Sequence, residues 1–218
     1  MKINEIFYSI QGESSFAGRP CAFIRLAGCD LRCSYCDTEY AFSGGELYTL
    51  DEIVTRVAKW QPGYVTVTGG EPLAQKNCLK LLEGLCDAGY TVSLETSGAL
   101  DISKVDPRVV RVMDLKAPGS GEVERNRYEN LEVLASSDQV KFVIADHIDF
   151  QFATDHRPPD FTLTHPQAVL EKDADTEMPL VVTNLEKVTV SYDRLTADGK
   201  QTGLKYALQI PVAEDIAF

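Results

Sequence analysis

The chain has 218 residues, 44% of them apolar and 25% charged, and a formal charge of −12. That length supports one domain with a core of ordinary size. So acidic a chain is a poor partner for nucleic acid, whose backbone is gripped by clustered Lys and Arg, and the acidity reads as a solubility feature. No run of about 18 apolar residues occurs, so no membrane span is expected. The start, Met1-Lys2-Ile3-Asn4-Glu5, leads into a strand pattern rather than an uncharged signal core. Half of the six cysteines fall within residues 29–36. In a reducing compartment such a cluster reads as metal ligands rather than disulfides, so a cytoplasmic protein is expected.

In chain order, an apolar–polar strand runs into Gln11-Gly12-Glu13, either a plain turn or a polar group presented to a ligand. Residues 21–27 form an apolar run that ends at the cysteine loop, with Arg25 in its middle. A buried arginine needs an anionic partner, and the sequence leaves open whether that is a protein or a substrate carboxylate. Residues 49–60 predict a helix opened by the capping box of Thr49 and Glu52. Residues 64–68 are β-branched and run into Gly69-Gly70-Glu71-Pro72; there, glycines permit close approach of backbone to a ligand. A helix is expected over 73–88, ended by Gly89, and another over 125–135. Strands are expected at 91–95, 109–115, 139–144 and 161–164, the last just before His165-Pro166. Residues 171–179 read as an acidic surface loop, and 186–192 with 204–210 as a β-hairpin across Asp198-Gly199.

Alternating strands and helices imply an α/β fold, a parallel sheet forming an open or partial barrel. The unusual motifs follow four successive strands: the cysteine loop, Thr68-Gly69-Gly70-Glu71-Pro72, Glu95-Thr96-Ser97-Gly98 and Asp114-Leu115-Lys116. Reactive residues at the C-terminal ends of parallel strands share one face.

Cys29, Cys33 and Cys36 are spaced C-x3-C-x2-C. Three soft ligands in a short loop can hold an iron–sulfur cubane by three corners and leave one iron open. A structural zinc wants four ligands, and His147, His156 and His165 are distant in sequence, so zinc is the minor reading. Cys21, Cys78 and Cys86 are scattered; the last two read as small buried hydrophobes. Asp37 and Thr38 offer hard oxygens suited to magnesium, but from the residues alone local turn capping is preferred. Asp114 and Lys116 read equally well as a surface pair.

Together, Glu5-Ile6-Phe7-Tyr8-Ser9-Ile10-Gln11-Gly12-Glu13, Phe23-Ile24-Arg25-Leu26-Ala27-Gly28-Cys29, Cys36-Asp37-Thr38, Thr68-Gly69-Gly70-Glu71-Pro72 and Glu95-Thr96-Ser97-Gly98 resemble the 7-carboxy-7-deazaguanine synthase family of the radical S-adenosylmethionine superfamily. The resemblance is strongest over residues 3–145 of a single domain spanning 1–218, with 180–218 a divergent hairpin extension. It implies a partial (β/α) barrel. It also implies ring contraction of 6-carboxy-5,6,7,8-tetrahydropterin to 7-carboxy-7-deazaguanine with loss of ammonia, on the route to deazapurines such as queuosine.

By the same resemblance, Cys29, Cys33 and Cys36 hold a [4Fe–4S] cluster, and S-adenosylmethionine is contacted by Tyr35, Asp37, Gly70, Asp114, Leu115, Lys116 and His165. Ile10, Gln11, Gly12, Arg25 and Thr68 contact the substrate, Arg25 through its carboxylate, and Thr38 ligates Mg2+. The family precedent is a homodimer served by a flavodoxin or ferredoxin. Two other readings remain: a radical enzyme of another kind, such as a glycyl-radical activase, and a non-catalytic metal-binding module. The family's closing Gln-x-His-Lys-like strand is matched in Leu208-Gln209-Ile210-Pro211 only by its glutamine.

Overall fold

A computed structural model describes residues 1–156 and the backbone of three further strands, 161–163, 187–195 and 201–211. Among the described residues ten strands form one sheet: β1 (Lys2–Ile10), β2 (Pro20–Leu26), β3 (Glu46–Leu47), β4 (Tyr64–Gly69), β5 (Thr91–Thr96), β6 (Val110–Asp114), β7 (Gln139–Val143), β8 (Phe161–Leu163), β9 (Lys187–Leu195) and β10 (Gln201–Pro211). Their order is β3-β1-β2-β4-β5-β6-β7-β10-β9-β8. From β2 through β7 to β10 each neighbour is parallel, whereas β1, β3, β8 and β9 pair antiparallel at the flanks. The order is linear and leaves two edges, so this is a partial barrel of the α/β class. The C-terminal hairpin is present as β9 and β10, and β10 joins β7 in parallel, with Leu208 beside Phe142.

Among the described residues the α-helices are α1 (Leu50–Ala58), α2 (Cys78–Asp87) and α3 (His147–Asp155). Helix α1 starts where the capping box predicts: Thr49 Oγ1 accepts from Glu52 N, and the Glu52 carboxylate accepts from Thr49 N at 2.7 Å. Its Ile53 and Val57, with Cys78, Leu81, Leu82 and Leu85 of α2, pack on Ile24, Val65, Val67, Val92 and Leu94 of the sheet. Gly89 takes the left-handed conformation, φ +88°, that ends α2.

Two sequence expectations are corrected, and one helix is added. Helix α2 begins at Cys78, not 73, because Gln75 turns away to bond the Lys2 N–H, the Lys2 carbonyl and the Ala27 carbonyl. No α-helix occupies 125–135; two 3₁₀ turns, Val123–Arg125 and Tyr128–Val133, stand there instead. Asn130 is the reason: its amide is buried and bonds the Gly98 and Leu100 carbonyls and Ile102 N, tertiary contacts that override a weak helical preference. Helix α3 is an addition, and its signal was Asp146, whose side chain caps it by accepting from Asp149 N at 2.9 Å. The strand at 161–163 is present, while His165, the acidic stretch 171–179 and the turn 197–200 lie outside the described residues.

Candidate active site

Alternation along the parallel strands builds the site. Ala22, Ile24, Leu26, Val65, Val67, Val92, Leu94, Met113, Val140 and Phe142 point outward into the helical core. The residues between them face the barrel interior, and Phe23, Arg25, Thr68, Glu95, Val112, Asp114, Lys141 and Val143 line one cavity of about 420 Å³. Parallel strands covered on both faces read as unbroken apolar runs. Here Thr66-x-Thr68, Ser93-x-Glu95 and Gln139-x-Lys141 interrupt them, because one face borders a polar cavity.

The cysteine loop closes the cavity at the C-terminal ends of the strands, with Cys29, Cys33 and Cys36 all lining it. Gly28 bends away from β2 at φ +101° and donates its N–H to the Ala41 carbonyl at 2.7 Å. The loop after β4 lies directly on it. A Cβ on Gly70 would overlap the Gly28 carbonyl and approach Cys29 Cβ to 2.6 Å, so only glycine fits. The far side of the loop is held by residues 119–125. Ser34 N donates to the Ser120 carbonyl at 2.9 Å, Arg32 N to Glu122 Oε1 at 2.5 Å, and Arg125 pairs with Asp30 at 2.6 Å.

Burial raises the Cys29 and Cys33 thiols above their usual pKa, and at Cys33 the Lys116 ammonium opposes that shift. A metal group binding here must therefore displace thiol protons, with Lys116 favouring the thiolate. Cys29, Cys33 and Cys36 share the cavity, and among the described residues no three Cys, His, Asp or Glu side chains are gathered about a single metal-ion point. Tyr35 Oη and Asp114 Oδ1 are buried in the cavity wall and have no hydrogen-bond partner among the described residues. Such orphaned atoms call for an external polar ligand.

At the opposite end Gln11, Gly12 and Glu13 form the floor. Gln11 Nε2 donates to Thr66 Oγ1 and to Glu95 Oε1, both at 3.1 Å, and its Oε1 accepts from Glu13 N at 3.1 Å. Thr68 Oγ1 donates to Glu95 Oε2 at 2.8 Å, and Lys141 Nζ pairs with Glu13 Oε2 at 2.7 Å. Burial, then the charge of Glu13, lifts the Glu95 pKa above the ordinary carboxyl range, and Lys141 opposes this. Burial pulls Lys141 down, but Glu13, Asp114 and Glu95 reverse that and keep it a cation. Lys141 was not singled out from sequence, and Glu13 and Glu95 figured there only as members of the Gln11-Gly12-Glu13 and Glu95-Thr96-Ser97-Gly98 motifs, not as site residues by themselves. The period-2 register from Arg25 and Thr68 was the signal for Glu95 and Lys141.

Of the residues expected at the site, Gln11, Gly12, Arg25, Cys29, Cys33, Tyr35, Cys36, Asp37, Thr38, Thr68, Gly70, Asp114 and Lys116 meet at this cavity. Ile10 is 64% exposed and not among its lining residues; Leu115 is buried in the core. Asp114 and Lys116 are no surface pair: they form a largely buried 2.8 Å ion pair in the cavity wall. Thr38 precedes the 3₁₀ turn Glu39–Phe42 without capping it by side chain, and its Oγ1 donates to Asp37 Oδ1 at 2.7 Å. Cys78 is fully buried, as expected, and Cys86 only partly.

Residues 23–114 match the family model of the radical SAM superfamily. The 7-carboxy-7-deazaguanine synthase of Koribacter versatilis is 48% identical over 155 residues, which cover 70% of this chain and 69% of that one. The 7-carboxy-7-deazaguanine synthase of Chlorobaculum tepidum is 49% identical over 156 residues, 70% of this chain and 71% of that one. The crystal structure of QueE from Escherichia coli shares the fold, with a TM-score of 0.60 at 24% identity over 71% of this chain and 76% of that one.

Proposed function

The chain belongs to the 7-carboxy-7-deazaguanine synthase family, within the radical S-adenosylmethionine superfamily, and on that premise we propose that its cavity converts 6-carboxy-5,6,7,8-tetrahydropterin to 7-carboxy-7-deazaguanine and ammonia. The observation that carries this reading is the convergence of the three cysteines, Arg25, Thr68 and the Gln11–Glu13 floor on one cavity of about 420 Å³, a size that suits a small heterocycle. When bound, a [4Fe–4S] cluster with S-adenosylmethionine supplies the radical that removes a substrate hydrogen atom.

The chain's own residues do the rest. Cys29, Cys33 and Cys36 anchor the cluster, and Tyr35, Asp37, Gly70, Asp114 and Lys116 receive the polar ends of S-adenosylmethionine. The orphaned Tyr35 Oη and Asp114 Oδ1 support that assignment. Arg25 grips the substrate carboxylate, and Thr38 offers its hydroxyl oxygen to a Mg2+ beside it. Gln11, expected to contact the substrate, lines the cavity, and its amide also bonds Thr66, Glu95 and Glu13 N, so it aims Glu95 as it shapes the floor. Glu95, whose carboxyl burial lifts above its ordinary range, delivers a proton to the departing amine, and Lys141 pairs with Glu13 beside it. We extend the reading to a cytoplasmic homodimer reduced by a flavodoxin or ferredoxin.

Anaerobic assay with carboxytetrahydropterin, S-adenosylmethionine, reductant and magnesium tests the reaction. Deazaguanine product and about four irons per chain are expected; a colourless protein carrying one zinc overturns the reading. Because Glu95 works as an acid, kcat stays level at low pH and declines as pH rises through its elevated pKa. Glu95→Gln is expected to lower kcat by about a hundredfold or more and to erase that decline. A variant that keeps the wild-type pH profile removes Glu95 from proton transfer.

A further inference from the structure

Around Arg25 stands a group of side chains that the reaction as described leaves without a task. Arg25 Nε donates to Glu5 Oε1 at 2.8 Å, and Tyr40 Oη donates to the same oxygen at 2.9 Å. The guanidinium carbon lies 6.0 Å from the Phe7 ring centre and 5.8 Å from that of Tyr40. Arginine carries five N–H donors in a rigid fork, so fixing the Nε edge and the plane fixes where the other edge points. Among the described residues the terminal nitrogens of Arg25 make no hydrogen bond, and Arg25 lines the cavity.

Tyr40 brings a second constraint. It stands on the 3₁₀ turn Glu39–Phe42, which follows Cys36-Asp37-Thr38 directly. That turn is pinned by Gly28 N on the Ala41 carbonyl at 2.7 Å and by Asn4 Nδ2 on the Tyr40 carbonyl at 3.3 Å. Arg32 packs on the Phe42 ring, 4.3 Å from its centre. The segment that carries the counter-ion's hydroxyl partner also braces the entry to the cysteine loop.

We propose that Glu5 and Tyr40 are positioning residues: they clamp the Nε edge of Arg25 so that its terminal nitrogens meet a ligand carboxylate, in register with the cysteine loop. This rests on the carboxylated substrate proposed above. The clamp acts on one functional group of the ligand, so its loss weakens recognition of the carboxylate and leaves the rest of binding intact.

Tyr40→Phe and Glu5→Gln are the test variants, since each keeps the shape of the side chain. In anaerobically reconstituted enzyme the KM for carboxytetrahydropterin is expected to rise about tenfold in each, the scale of one hydrogen bond to a charged group, with kcat held within about twofold. By calorimetry, 7-carboxy-7-deazaguanine is expected to bind each variant about tenfold more weakly than wild type, and the neutral carboxamide analogue equally well to all three. Iron content and the visible spectrum are expected to stay at wild-type values. Equal weakening for both ligands, a fall in kcat at constant KM, or no change overturns the clamp. Should wild type fail to convert the pterin, the reaction assignment falls, and the carboxylate-against-carboxamide comparison still decides the clamp.

Discussion

Glu71→Ala is expected to destabilise the fold by about 3–5 kcal/mol, read as a shift in the urea midpoint at constant slope. Glu71 is fully buried, and its carboxylate joins the ends of β4 and β5. Oε1 accepts from Leu73 N at 3.0 Å, and Oε2 accepts from Ser97 N at 2.7 Å and Ser97 Oγ at 2.5 Å. Thr96 Oγ1 lies 2.9 and 3.0 Å from the two oxygens. Burial pushes the Glu71 pKa up, and the donors from Ser97, Leu73 and Thr96 push it back. Alanine removes every acceptor and leaves two backbone N–H groups buried without partners. Glu71→Gln sharpens the test. Each carboxylate oxygen faces an obligate backbone donor, so in either orientation the amide nitrogen meets an N–H. A loss of about 1–3 kcal/mol is expected for it. A variant as stable as wild type would show that Glu71 does not tie the two strand ends together.

Gly70→Ala is expected to strip the protein of most of its iron while sparing much of its stability. The added methyl has no free space: it overlaps the Gly28 carbonyl and comes within 2.6 Å of Cys29 Cβ. Both neighbours belong to the cysteine loop rather than to a flexible side-chain end, so the loop must move. Overpacking of this kind costs about 1–3 kcal/mol. The effect on function is larger, because displacing Cys29 by a fraction of an ångström separates it from Cys33 and Cys36. Iron per chain after anaerobic reconstitution is the measurement. Full loading in a correctly folded variant would mean that the two loops are not in the close contact described.

Residues near one another in sequence were enough to place the parallel strands, the first helix and the cysteine loop. The capping box at Thr49 and Glu52 acts over three residues, the alternation in β4 and β5 over two, and the C-x3-C-x2-C spacing over eight. Signals of that range are written into the local order of side chains, and they survived folding unchanged. The turn at 128–133 and the late start of α2 did not, because Asn130 and Gln75 are recruited by distant backbone.

What lay beyond local order was the company each residue keeps. Lys141 meets Glu13 across 128 positions, Gln11 meets Glu95 across 84, and Arg25 meets Glu5 across 20. Strand register makes these pairs, and register is settled by the whole sheet at once. For the same reason, Asp114 and Lys116, readable as surface charges in the sequence, become a buried pair on the wall of a polar cavity. A chain can declare its thiolates and glycines in a few letters. Which carboxyl burial pushes up, and which arginine edge is left open to a ligand, depends on strands brought side by side from distant parts of the chain.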